Sequence, residues 1–355
     1  MIKTALDIIG FLNTNFSFIL ALIVYTILAI ALSKSIKKHA NVYNWVFGVL
    51  GVAFAISPIS RLCGVTLPFS IQQIPILGSA ASELSSAANF IHPVIVIIMY
   101  MGAFSPKTRY IPRLMSIRKE LSIIVGFPVI AHLAKRLFGT FPQAWSYFMN
   151  YEESVANPKV VSEVGSAITN AVLVLGIVMT VLFLVLWITS FDSVHKKLGA
   201  KRWKSVQKWS YGLYAMLFIH AVGLQLGGMI SYNANQRIKQ ESAVVIAQES
   251  QPKEGHSHGE QGHSHGEQKG ENQPEPQKGE SQGSSKTANA SSGQGGHSSH
   301  GKSKGFSFSD IEISRSTKAI VNILIYILVY SSYLYFRLKK AKDMRLKKRK
   351  LTTSH

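Results

Sequence analysis

A single cysteine, Cys63, stands in 355 residues. That excludes an internal disulfide framework and a cysteine-ligated iron–sulfur cluster or zinc site, and leaves Cys63 as a buried or incidental thiol. The dinucleotide-binding signature is missing as well: no GxGxxG occurs anywhere in the chain. A third lack concerns carboxylates. Seven apolar runs, at residues 16–32, 43–56, 87–104, 121–137, 167–187, 210–230 and 319–336, contain no Asp or Glu. Cation transporters and proton-coupled carriers ordinarily need such acids within the membrane, so their absence argues against both classes.

The runs themselves are of roughly 14–22 residues, close to the ~20 that cross a ~30 Å hydrocarbon layer at ~1.5 Å rise per residue. The expected fold is all-α: a polytopic membrane helix bundle of about seven transmembrane helices, with a six-helix core and a tethered C-terminal helix. The second run is the shortest and meets Ser57-Pro58 at its end. No small-residue cleavage site follows the first run, and Lys34, Lys37 and Lys38 do; it reads as a retained helix and not a cleaved signal peptide.

Net charge is +20, and its placement identifies the partner. Residues 33–38, 107–119, 196–208 and 337–350 hold 23 of the 38 Lys and Arg. These segments alternate with the apolar runs on one side, as the positive-inside rule requires. The expectation is a multi-pass plasma-membrane protein, N-terminus outside and C-terminus cytoplasmic. The tail RLKKAKDMRLKKRK then faces anionic lipid, and no nucleic acid is needed to explain it.

Between the last two runs lies a segment rich in Gly, Ser, Gln and Glu, nearly without apolar residues after Ile246. It buries too little surface to offset chain entropy and is expected to be disordered. Four regions follow: residues 1–83, N-terminal helices and an outer loop; 84–230, a transmembrane core; 231–316, the low-complexity extracytoplasmic segment; and 317–355, the last helix with its basic tail. The segment contains HSHGEQGHSHGEQ and six histidines, His256, His258, His263, His265, His297 and His300. Neutral imidazoles there would hold Zn²⁺, Cu²⁺, Ni²⁺ or iron weakly; an inert spacer is the other reading.

Three further histidines, His92, His132 and His220, fall within apolar runs. Helical rise places His132 ~18 Å and His220 ~20 Å from the inner ends of their helices. Two imidazoles at matched depth on two helices suit the two axial positions of a haem iron, an electron-transfer arrangement with no open site. The competing reading is that each imidazole only hydrogen-bonds across helices. Lys135 and Arg136, one turn outward of His132, would snorkel to headgroups or meet haem propionates. His92, followed by Pro93, sits near a helix end as a structural residue or an alternative ligand.

Three stretches carry a family likeness. MYMGAFSPKTRYIPRL closes a helix on Ser-Pro and a basic loop; SIRKELSIIVGFPVIAHL sets a basic pair about fourteen residues before His132; and ITSFDSVHKKLGAKRWKSVQKWSYGLYAMLFIHAVG places Trp203, Tyr211 and His220 at kept spacings. Together, over about residues 84–230, they resemble the ferric reductase-like transmembrane domain family, in particular its YedZ/MsrQ branch of haem-b membrane subunits. The resemblance implies haem b between His132 and His220. One departure stands out: Gln207 occupies the position of the family's inner histidine, and an amide is a poor iron ligand.

Family members that reduce iron or oxygen alone carry a flavin and nicotinamide domain after the last helix. Nineteen residues follow Phe336 here, against over ~100 for a nucleotide-binding unit. The expectation is an oxidoreductase subunit that relays electrons from a cytosolic flavin reductase or membrane quinol to an extracytoplasmic acceptor: ferric iron, a flavinylated protein or a partner reductase. A quinone or flavin near Gln207, Trp203 and Trp209 would bridge the inner gap. The alternative is a zinc or iron transporter, or a metal-capturing membrane protein, built around the histidine-rich segment.

Overall fold

The computed structural model describes residues 2–65, 74, 78–79, 83, 87–157, 160–249 and 313–352. The histidines of the low-complexity segment, and the disorder expected there, lie outside the described residues. Ala243–Phe306 form a unit apart from the rest of the chain, and of that unit only the last turns of one helix are described.

Every regular element among the described residues is helical. The chain opens with α1, Ile2–Ala31, which kinks at Phe16, and a short α2, Ser33–Lys38. Helix α3, Ala40–Leu62, does not stop at Ser57 as the Pro58 signal predicted but carries the proline inside it. It ends before Gly64, whose φ of +67° only glycine adopts without strain. Cys63 beside it is exposed, which removes the buried-thiol reading.

A π-helical turn, Ala87–Ile91, leads into α4, His92–Ala103, with Pro93 in its first turn, where no intrahelical N–H is needed. Next come α5, Ile111–Ser116, α6, Arg118–Gly139, and two short helices, α7, Phe141–Met149, and α8, Tyr151–Ala156. Helix α9, Glu163–Ile188, is capped by Ser162, whose hydroxyl accepts from Gly165 N at 3.2 Å. Basic α10, Asp192–Gln207, breaks at Gly199 with φ +73°. Helices α11, Ser210–Glu249, and α12, Arg315–Thr352, complete the described chain.

Among the described residues, six helices are long and apolar enough to cross a membrane: α1, α3, α6, α9, α11 and α12. The described residues form an all-helical fold of the kind a membrane protein has. The remaining apolar run gives only a short helix, Asn89–Ala103. At ~1.5 Å per residue it falls short of the ~30 Å hydrocarbon core. Burial explains how this is tolerated. From His92 to Met99 every residue of α4 is buried, so protein and not lipid surrounds its ends.

Helix α4 is the centre of the core, packed against α1, α6 and α12. Its last carbonyls, unpaired within the helix, are taken up by α12: Lys340 Nζ donates to Gly102 O at 2.9 Å and to Phe104 O at 2.8 Å, and Arg337 to Gly102 O at 3.2 Å. The C-terminal helix is therefore part of the core wall. Helix α3 lies along α6, where a Cβ on Gly51 would come within 2.9 Å of the Phe127 carbonyl.

Candidate functional site

Helices α9 and α11 meet along a seam of small residues. Gly165, Thr169, Val172 and Gly176 face Ser231, Gly227, Gly223 and His220; a Cβ on Gly227 would reach Thr169 Oγ1 at 2.4 Å and Gly165 O at 2.9 Å. Such close approach is the usual basis of helix association in lipid. Here it has a chemical consequence. The Val172 carbonyl is brought to 2.7 Å from His220 Nδ1. A carbonyl only accepts, so Nδ1 carries the proton, and the lone pair of the neutral ring is on Nε2. That is how a metal-ligating imidazole is oriented by its second nitrogen. Gly176 supplies the room: a Cβ there would stand 3.2 Å from His220 Cε1.

His132 on α6 and His220 on α11 line one cavity of about 210 Å³. Its walls are apolar, among them Ile95, Val129, Phe183 and Leu217, and Arg136, Thr140 and Phe141 line it near the C-terminal end of α6. Lys135 is exposed and does not line it. His92 contributes to the same wall but is engaged elsewhere: its Nε2 is 2.9 Å from the Tyr330 hydroxyl, and its ring lies against Phe18 and Tyr326 at centroid distances of 4.8 and 5.2 Å. The α12 contribution, Tyr326 on the wall and Tyr330 on His92, was missed from sequence; its signal is the tyrosine spacing at 326, 330 and 333.

Although three histidines share this wall, no group of three His, Cys, Asp or Glu side chains converges on one point among the described residues. The donor set thus offers two imidazoles on separate helices in an apolar cleft, with a guanidinium in its lining.

A second cavity, of about 340 Å³, is lined in part by residues of the basic segments 107–119 and 196–208. Gln207 and Trp203 both line it, with Arg118, Lys119, Asp192 and His195. Their positions are fixed through Thr189: Trp203 Nε1 donates to its carbonyl at 2.9 Å and Gln207 Nε2 to its hydroxyl at 3.1 Å. The Trp203 ring lies 4.6 Å from that of His195. Trp209 is exposed and outside the lining. Lys119 Nζ donates to Asp192 at 2.9 Å and holds that carboxyl below the usual carboxylate range.

An uncharacterized protein of Treponema pallidum (strain Nichols) is 24% identical over 204 residues, 58% of this chain and 50% of its own length. The chain thus spans about half the length of that curated relative. No family model matches the chain, and no solved structure does. The likeness to the ferric reductase-like family rests on the three sequence stretches alone.

Proposed function

We propose that the cavity between His132 and His220 binds a b-type haem and that the protein is a transmembrane electron relay. The observation that carries this reading is the common cavity, with His220 Nδ1 committed to the Val172 carbonyl and Nε2 left as the ligating atom. A haem there would supply one-electron transfer. The chain's own residues do the rest. Val172 fixes the His220 tautomer, Gly176 admits the ring, apolar walls exclude water, and Arg136 offers charge-assisted hydrogen bonds to carboxylates.

In this reading the membrane is crossed seven times, α4 being the short buried crossing, and the basic clusters face the cytoplasm. Electrons enter at the basic end, from a cytosolic flavin reductase or from quinol or flavin in the cavity of Gln207 and Trp203. They leave to an extracytoplasmic acceptor. The α12 tail lies against anionic lipid.

The test is the optical spectrum of the purified protein, oxidised and dithionite-reduced, for the wild type, His132→Ala and His220→Ala. A sharp reduced α band that both substitutions abolish is the expected result. A haem-free protein after expression with ample haem would end this proposal, and so would a spectrum indifferent to both substitutions.

A further inference from the structure

Helix α7 follows the end of α6 after one residue, Thr140, and its side chains fall into three sectors. At ~100° per residue, Ala144 and Tyr147 point one way and are buried, at 0% and 4% exposure. Turning onward, Trp145, Phe148 and Met149 form an apolar sector that is exposed, at 49%, 40% and 60%. Gln143 and Ser146 make the third sector, polar and exposed. A helix lying on a globular surface in water needs only two sectors, buried and polar. Three in this order suit a helix that touches protein, lipid and water at once.

Its height is set by bonds to a membrane-crossing helix. The Tyr147 hydroxyl donates to the Glu163 carbonyl at 3.3 Å, and the Tyr151 hydroxyl to the Glu163 carboxylate. Both anchor the segment to the first turn of α9. Val164, next along that turn, is 60% exposed, and Val178 and Val181 continue the exposed apolar surface along the same helix. The apolar sector of α7 therefore begins where a lipid-facing surface ends, at the depth where Trp and Tyr side chains concentrate.

We infer that α7 is an interfacial helix whose Trp145, Phe148 and Met149 lie in the headgroup–acyl boundary of the bilayer, so that the membrane itself holds Thr140 and Phe141 in the lining of the histidine cavity. The occupant of the exposed sector is lipid, not a protein partner. The inference is independent of what the cavity binds.

The test uses the full chain in proteoliposomes, in a Cys63→Ser background, with spin labels at Trp145→Cys, Met149→Cys, Gln143→Cys and Ser146→Cys. Collision with oxygen is compared with collision with a water-soluble nickel chelate. Positions 145 and 149 should favour oxygen several-fold, and 143 and 146 the chelate. Four water-like positions would overturn the inference, placing α7 off the membrane. Shielding of 145 and 149 from both reagents would overturn it too, since protein would then cover the sector. Should a cysteine variant fail to fold, the conservative Trp145→Phe serves instead. Subtracting its tryptophan emission from that of the wild type should leave a component quenched by brominated lipid; an unquenched component counts against the interfacial position.

Discussion

At the scale of single residues, the chemistry depends on how two histidines spend their nitrogens. His220 gives Nδ1 to Val172, and Gly176 keeps the ring where that bond forms. Gly176→Ala would place a methyl 3.2 Å from Cε1, tighter than ordinary contact, and tilt the imidazole off its rotamer at about 0.5–1.5 kcal/mol. If the haem reading holds, the reduced α band of Gly176→Ala shifts or broadens and haem content falls, while Gly228→Ala, with open space around it, leaves the spectrum unchanged. His92 behaves differently, its Nε2 being bound to Tyr330 in a buried setting. Tyr330→Phe leaves that nitrogen without its partner, at a cost of about 1–3 kcal/mol. Thermal unfolding in detergent should show the loss. Combining it with His92→Phe should lower Tm by less than the sum of the single changes.

Elements meet by two devices. Along the α9–α11 seam, a methyl at 227 collides with backbone as well as with Thr169. Gly227→Ala must push the helices apart and break the His220–Val172 bond, whereas Gly228→Ala is neutral or gains up to ~1 kcal/mol of helix propensity. Opposite signs in ΔTm for these adjacent glycines are the expected outcome, and equal effects would mean the seam does not set the packing. Between α6 and α10 the link is Lys119 to Asp192. With its pKa depressed in the folded state, Asp192 contributes stability above its unfolded pKa of ~3.9, and the contribution is lost as pH falls through the lower folded value. The pair is exposed, so the effect is small and screened by salt. A modest acid-side loss of Tm that Asp192→Asn abolishes at low salt is expected.

For the whole molecule, the proposed haem site and the proposed metal capture by the histidine-rich segment are expected to be separable. The α12 helix is held by its own contacts with α4, through Tyr330, Arg337 and Lys340, and by Tyr100, whose hydroxyl donates to Val329 O at 2.6 Å. Replacing His256, His258, His263, His265, His297 and His300 together by alanine should leave Tm and the haem spectrum unchanged while abolishing weak Zn²⁺ uptake measured by titration. A fall in haem content would instead tie the segment to the core site. The direction of insertion is checked separately: cysteines in the 196–208 segment should react with impermeant thiol reagents only after the membrane is opened from the cytoplasmic side.

The sequence by itself determined the membrane class and the helical fold, and put His132 and His220 forward as candidate ligands. Hydrophobic length and the cost of burying an imidazole are local properties, readable from residue type and spacing alone. It could not tell which faces the helices present to one another, because rotation about each axis is settled only when the helices pack. That is why the place of His92 against Tyr330, the wall built by α12 and the exclusion of Lys135 from the cavity came from the tertiary structure. The short α4 belongs here as well: its run was counted as an ordinary span, yet only its enclosure by α1, α6 and α12 allows so short a helix at the centre. The Val172 carbonyl is the clearest case. A backbone oxygen leaves no mark in a sequence, and it orients the imidazole only because two glycine-lined helices come close enough to bring it there.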